Sequence, residues 1–200
     1  IKAITDQFEP GSTYKVVSAI SALYNNKIYP NQEFNCENGE YQYYTIPIRD
    51  HKKHTILSAS QIIQHSSNIG IVKIIEKVGP KILYNTSRDF GFGSKTGIKL
   101  DGEVKGTLNP FASWSAVSLG QIAMGHEIGV TAIQLAMAYC AVANGGFLLR
   151  PKIIRQVINN ENLSVHIEEP SIIRKIADEK TMGEIKRMLR DVILDGTGIN

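Results

Sequence analysis

The sequence has 200 residues, of which 42% are hydrophobic and 20% charged, and this composition suits one globular domain or a large piece of one. The formal net charge is only +3 and the basic residues are dispersed, so no nucleic-acid-binding surface is predicted. No stretch is long and apolar enough to span a bilayer. Because the chain starts in mid-pattern without an initiator Met, we expect it to be an excised segment of a longer protein, with residues 1–200 forming part of a single domain.

Hydrophobic periodicity and turn residues predict a helix-rich centre. The first helix is expected behind the Pro10-Gly11 turn. The predicted helices cover residues 12–25, 55–78 (capped by Ser58 and interrupted at Ser66-Ser67-Asn68), 80–90, 131–144 and 177–194. The 131–144 segment is the most apolar of these and should be a core helix that buries Cys140, closed by two glycines.

Strands are predicted towards both ends of the chain. Residues 1–8 should be extended or at a sheet edge, and a hairpin is expected over 41–48 within the polar loop that contains Cys36. Residues 147–158 alternate like a strand, with Pro151 marking an edge or a break, and 165–167 should pair with them across a turn at 159–162. Whether the two cysteines pair is left open by their spacing.

Ser12 and Lys15 form an S-x-x-K unit at the start of the first predicted helix. The i, i+3 spacing places both side chains on one helix face. A serine hydroxyl needs an adjacent base to become a nucleophile, and lysine can be that base if burial favours its neutral form. The unit therefore suits acyl transfer, but a Ser helix cap followed by a solvated lysine fits the same residues.

Ser66-Ser67-Asn68 is a second polar unit, about fifty residues after Ser12 and between two helical segments. The Ser66 hydroxyl can relay a proton between Lys15 and a leaving group, and the Asn68 amide can hold a substrate carbonyl. The alternative is that Ser66 and Asn68 only cap the next helix. The two units together favour an acyl-serine enzyme. By contrast, the H-x-x-H sequence at 51–54 is expected to be a solvated loop rather than a metal site, and no metal or other cofactor is predicted.

The sequence resembles the transpeptidase domain of the class B penicillin-binding proteins. The resemblance rests on FEPGSTYK, SSNIG and QIAMGHEIGVTAIQLAMAYCAVANGG, and it runs through nearly the whole chain. S-S-N followed by Ile-Gly is similar to the cell-division type. The resemblance implies an α/β fold of the α+β type, in which a helical lobe and an antiparallel sheet enclose the site, with the N-terminal strands absent.

The family's third motif, K-T-G, lies on a strand after the final helix. Lys95-Thr96-Gly97 precedes the core helix and is therefore interpreted as structural, and Gly196-Thr197-Gly198 has Asp195 where the lysine should be. We expect the motif beyond residue 200, and we expect residues 1–200 alone to be catalytically inactive.

By resemblance, Ser12, Lys15 and Ser66 are the catalytic residues and Asn68 binds substrate. The implied activity is cross-linking of peptidoglycan stem peptides in septal wall synthesis through an acylated Ser12, which β-lactams also acylate. The family further implies attachment to the bacterial inner membrane, with the domain on the periplasmic face. Division-complex membrane proteins, including a lipid II glycosyltransferase, are the implied partners.

Three alternatives keep the same acyl-serine chemistry. A class A β-lactamase carries an E-x-x-L-N carboxylate, but Lys105 occupies the acidic position before Leu108-Asn109, and Glu103 is two residues away. A β-lactamase is therefore disfavoured. A D-Ala carboxypeptidase differs mainly in its acceptor, and a non-catalytic β-lactam sensor keeps the acylation residues without turnover. The sequence does not separate these two from a transpeptidase.

Overall fold

A buried helix, α2, lies at the centre of the molecule. The computed structural model describes residues 1–160 and 164–199. Every residue of α2 from Lys15 to Ala22 is buried, because α3, α4, α5 and α8 pack around it. Small residues allow these helices to approach closely, and the core hydroxyls are satisfied: Ser18 Oγ donates to the Ala123 carbonyl (3.0 Å) and Ser21 Oγ to the Ser18 carbonyl (2.6 Å).

The helices in the described part of the chain follow the predicted order, with two additions. The α-helices are α1 (Lys2–Thr5), α2 (Lys15–Tyr24), α3 (Ala59–Gln64), α4 (Asn68–Val78), α5 (Pro80–Asp89), α6 (Ser118–Ala123), α7 (Ala132–Ala143) and α8 (Glu179–Asp195), with short 3-10 helices at Gly11–Tyr14, Glu37–Gly39 and Phe111–Ser113. The extended or sheet-edge segment predicted over 1–8 is wrong at Lys2–Thr5, where a helical turn forms, whereas Phe8 makes an antiparallel bridge with Val130. Helix α6 was not predicted, because six residues are too few to show a period. No helix in the described residues has the length and apolarity needed to cross a membrane.

The strands form antiparallel pairs. They are β1 (Glu33–Asn35), β2 (Glu40–Tyr43), β3 (Ile46–Arg49), β4 (Ile56–Ser58), β5 (Phe147–Leu149), β6 (Gln156–Ile158), β7 (Ser164–Ile167) and β8 (Ile172–Lys175). The pairs are β1 with β4, β2 with β3, β5 with β8 and β6 with β7. Both predicted hairpins form, and the chain is broken around Pro151 as expected. The turn predicted over 159–162 lies partly outside the described residues.

The predicted helix caps are largely confirmed. Ser58 accepts from Gln61 N and Gln61 bonds back, which is a complete capping box for α3. Helix α4 is capped by Ser67, whose Oγ accepts from Gly70 N, so the idea that Ser66 and Asn68 act as its caps is wrong. The side chains of Ser66 and Asn68 therefore do not cap α4.

Both cysteines are free thiols, and their burial is the reverse of the prediction. Cys36 is completely buried beside Ser67, whereas Cys140 is exposed on α7. Helix α7 is apolar on nearly all sides, so its sequence does not show which face is buried. The predicted solvated loop at 51–54 is also corrected in part: the His54 ring is half-buried and stacks on His65 with centroids 4.9 Å apart.

Candidate active site

The turn before Ser12 is held by backbone contacts to the segment after α6. Phe8 and Val130 exchange backbone hydrogen bonds of 3.0 and 2.9 Å, and Gly11 N donates to the Gly125 carbonyl at 3.1 Å. A Cβ atom on Gly125 would lie 2.1 Å from the Gly11 carbonyl oxygen, so only glycine permits this approach. The turn is therefore fixed by partners more than a hundred residues away in the chain.

A contact between a carboxylate and a histidine adds to the same junction. The Glu9 carboxylate accepts from Glu127 N at 2.9 Å and lies 2.9 Å from His126 Nδ1. The hydrogen bond from His126 and that from Glu127 N lower the pKa of Glu9. The turn is thus held both by these Glu9 contacts and by the backbone hydrogen bonds, and Ser12 follows it directly.

Ser12 occupies the 3-10 turn Gly11–Tyr14, which continues directly into α2. Its side chain is exposed on the wall of a cavity of about 200 Å³ that Lys15 and Ser66 also line. At the end of this turn, the buried Tyr14 hydroxyl forms a hydrogen bond with the Ser87 hydroxyl. The start of a helix carries free N–H groups and a partial positive charge, which favour a developing oxyanion.

Lys15 is 2% exposed, and its amine is held by three oxygen atoms. Nζ donates to the Ser66 carbonyl at 2.6 Å, to Ser66 Oγ at 3.1 Å and to Asn68 Oδ1 at 2.6 Å. Burial lowers the pKa of Lys15 from its ordinary 10.5 to about 8, against the opposing charge of Asp50. A buried lysine with this pKa can exchange a proton near neutral pH, as the base in the predicted chemistry must.

The structure therefore brings Ser12, Lys15, Ser66 and Asn68 to one place. Within the described residues, Ser12 and Lys15 form no direct hydrogen bond, and the amine faces Ser66 and Asn68 instead. Such contacts are often loose in unliganded sites and tighten when substrate binds. The solvated-lysine alternative is wrong, since Lys15 is among the most deeply buried polar residues of the chain.

Ser66 adopts a left-handed backbone conformation, with φ of 53°. This turn between α3 and α4 directs its carbonyl and its hydroxyl to the same amine. A non-glycine residue in this region is strained, at a cost of about 1–3 kcal/mol. Strain of this kind is often found at functional sites, and no local pattern indicates it at Ser66.

Two further residues on the cavity wall were not predicted. Tyr139, a half-buried residue of α7, donates its hydroxyl to the Thr13 carbonyl at 2.9 Å, and burial raises its pKa. Thr197 follows α8, and its backbone N–H donates to the Gln64 carbonyl at 3.3 Å. Gly196-Thr197-Gly198 is thus near Ser12 although it is not K-T-G. Long-range packing brings both residues to the cavity, and no local sequence pattern predicts this position.

Lys95 and Thr96 of the Lys95-Thr96-Gly97 tripeptide line a different cavity, together with Gln134, Met137 and Arg174. Thr96 N and Oγ1 donate to Glu103 Oε1 at 2.6 and 2.5 Å, and Gly97 N donates to Oε2 at 3.2 Å. The position of the tripeptide, away from Ser12, agrees with its interpretation as structural. Glu103 is buried and occupied by these bonds, which leaves it unsuited to activating water at Ser12.

Comparison with known proteins decides the family. The model of the penicillin-binding protein transpeptidase domain matches residues 1–200. The chain belongs to this family. It is 31% identical over 193 residues to penicillin-binding protein PbpB of Mycolicibacterium smegmatis and 32% identical over 196 residues to stage V sporulation protein D of Bacillus subtilis. Each alignment covers 96% of this chain but 30% of the relative, so the chain spans about a third of the length of these relatives.

Solved structures of the family have the same fold. The apo transpeptidase domain of Burkholderia pseudomallei penicillin-binding protein 3 is 29% identical and superimposes with a TM-score of 0.86, over 96% of this chain and 55% of that one. A peptidoglycan glycosyltransferase from Burkholderia ambifaria is 28% identical with a TM-score of 0.88, over 97% of this chain and 58% of that one. The predicted family and the α/β fold of helical lobe and antiparallel strands are confirmed.

Proposed function

We propose that the protein is a serine D,D-transpeptidase that cross-links peptidoglycan stem peptides. The observation that carries this proposal is the buried Lys15 amine, held by Ser66 and Asn68 in the cavity that Ser12 lines. The relatives support it, since PbpC of Pseudomonas aeruginosa (28% identical) is named a probable peptidoglycan D,D-transpeptidase and FtsI of Escherichia coli (28% identical) a peptidoglycan D,D-transpeptidase.

In the proposed acylation step, Lys15 takes the hydroxyl proton as Ser12 Oγ attacks the carbonyl carbon of the penultimate D-Ala. The backbone N–H of Ser12 stabilises the tetrahedral oxyanion. The C–N bond then breaks, and the departing D-Ala amine receives the proton from Lys15 through Ser66 Oγ. The Asn68 amide positions the peptide. The product is an ester on Ser12.

In the second step, an amine of a neighbouring stem peptide attacks this ester. Its proton passes to the Ser66–Lys15 pair, and Ser12 Oγ leaves and is reprotonated, so a new peptide bond forms and the enzyme is restored. A β-lactam acylates Ser12 in the same way, but opening its ring releases no leaving group. The adduct therefore blocks the site.

We place this activity in septal wall synthesis, supported by the S-S-N sequence followed by Ile69-Gly70, which is similar to the division type. On the same basis the domain works on the periplasmic face of the bacterial inner membrane. Its partners there are division-complex membrane proteins, among them a lipid II glycosyltransferase. These assignments rest on the family resemblance.

Incubating the full-length protein with benzylpenicillin and measuring its intact mass tests the proposal. We expect a stable adduct that peptide mapping places on Ser12 and that the Ser12→Ala variant lacks. A transient adduct with accumulating hydrolysed drug indicates a β-lactamase, and the absence of any adduct contradicts the acyl-serine chemistry.

A stem-peptide assay with an added acceptor amine separates the remaining alternatives. Cross-linked product supports the transpeptidase. Free D-Ala without cross-linking indicates a carboxypeptidase, and a stable drug adduct without peptide turnover indicates a sensor.

A further inference from the structure

Asp50 makes the contacts that hold the Ser67-Asn68 segment in place. It directly follows β3, and its half-buried carboxylate reaches the first turn of α4. Oδ1 accepts from Asn68 N at 2.5 Å and from Ile69 N at 3.1 Å, while Oδ2 accepts from Ser67 Oγ at 2.6 Å. Three charge-assisted hydrogen bonds on one carboxylate are stronger than neutral ones and restrict the segment tightly.

The neighbouring residue fixes the orientation of the Asn68 side chain. The Arg49 carbonyl accepts from Asn68 Nδ2 at 2.9 Å. Because the nitrogen of the amide is committed to a carbonyl, its oxygen must face the other way, and there Oδ1 accepts from Lys15 Nζ at 2.6 Å. The end of β3 thus determines both the backbone and the amide orientation of Asn68.

Asp50 also acts on Lys15 through its charge. Among the described residues, it is the ionised group whose field opposes the effect of burial on the lysine. The other groups that surround the amine, Ser66 and Asn68, do not titrate in this range. Lys73 of α4 forms an ion pair with Glu37 of the 3-10 helix Glu37–Gly39, and the charge of Lys73 acts on Cys36.

We propose that Asp50 is the positioning residue of this site: it fixes Ser67 and Asn68 and, through them, the oxygen atoms that hold the Lys15 amine. The role is that of a positioning residue and not a catalytic one, because Asp50 contacts neither Ser12 nor the cavity. The inference rests on the proposed function and deepens it, because it assigns the residue that holds the surroundings of the proposed base, Lys15, in place.

Asp50→Asn and Asp50→Ala in the full-length protein test this role. The Asn variant keeps the shape and one acceptor but loses the charge, and the Ala variant loses all three bonds. We expect the rate of Ser12 acylation by benzylpenicillin to fall by up to about 100-fold in the Ala variant and by less in the Asn variant, as expected for a misplaced base. In both variants, the pH at which the acylation rate reaches half of its maximum should be lower than in the wild type, because Lys15 loses its proton more readily without the carboxylate.

Asp178→Asn is the matched control. Asp178 caps α8 through a hydrogen bond from Thr181 N of 2.7 Å and lies away from Lys15. This variant removes the same charge from a helix N-terminus, so it should lose comparable stability without any change in the pH profile.

The titration of Lys15 followed by NMR of its labelled Cε provides a second measurement that needs no activity and is applied to the Asn variant. A lowered Lys15 pKa in this variant supports the proposal even if wild-type protein is not acylated, in which case the proposed function alone fails. If both Asp50 variants lose only stability, with wild-type pH profiles and an unmoved Lys15 titration, Asp50 is a helix cap and the proposal is overturned.

Discussion

At the scale of single residues, the proposed chemistry depends on a lysine that burial keeps ready to lose its proton. Since burial lowers the pKa of Lys15 to about 8, the neutral amine forms well below the pH at which an exposed lysine loses its proton. We expect the acylation rate constant to rise with pH, to be half-maximal near pH 8 and to level off above it, measured with a chromogenic β-lactam. The contribution of Lys15 to the free energy of unfolding should also rise between about pH 8 and 10.5, because there the unfolded chain holds a proton that the folded lysine has released.

Lys15→Arg is the matched variant for this prediction, because a guanidinium keeps the positive charge but stays protonated. It should lose about 100- to 10,000-fold in acylation rate, the usual contribution of a general base. A flat rate between about pH 6 and pH 10, or an Arg variant as fast as wild type, contradicts the role of Lys15 as base.

At the scale of elements, the end of α8 is held against α3 at the site. Gln64 Nε2 donates to the Asp195 carbonyl at 2.9 Å, and a Cβ atom on Gly196 would lie 2.4 Å from the Gln64 carbonyl oxygen. Gly196→Ala must therefore push α8 away from α3 and move Thr197. We expect a loss of about 1–3 kcal/mol in the free energy of unfolding, measured by urea titration, together with slower acylation.

Gly183→Ala, closer to the start of the same helix, is the control, since a Cβ there meets no neighbouring atom in the described part of the chain. It should stabilise the protein by up to about 1 kcal/mol, because alanine favours helix more than glycine does. Equal effects of the two substitutions would show that the contact between α8 and α3 does not matter.

The elements also show what the sequence could and could not predict. The sequence was enough to propose Ser12, Lys15, Ser66 and Asn68 as site candidates, because each pair lies within one local segment whose spacing has a chemical meaning. Asp50, Tyr139 and Thr197 were missed because only the packing of β3, α7 and α8 brings them to α2 and α4. The burial predicted for Cys140 is wrong because α7 is apolar on nearly all sides, so its sequence does not show which face is buried.

At the scale of the whole molecule, burial is distributed unevenly between the helical core and the β6–β7 hairpin. Residues on α2 and α4 are mostly buried, including Ile20 and Ile69 with no exposed surface. Every described residue of β6 and β7 is exposed, and apolar side chains such as Val165 are 61% exposed. The fold predicted from the sequence did not show this contrast, since an alternating strand looks the same whether or not another layer covers it.

This uneven burial predicts a difference in hydrogen exchange. Amides in α2 and α4 should open only with global unfolding and exchange most slowly, whereas those in β6 and β7 should exchange through local opening that exposes little new apolar surface. Exchange measured by mass spectrometry on the full-length protein checks this, with α5, a helix with one mostly buried face, as an intermediate reference. Protection of β6 and β7 equal to that of α2 would contradict the prediction and show that the exposed apolar face of the hairpin is covered in the full-length protein.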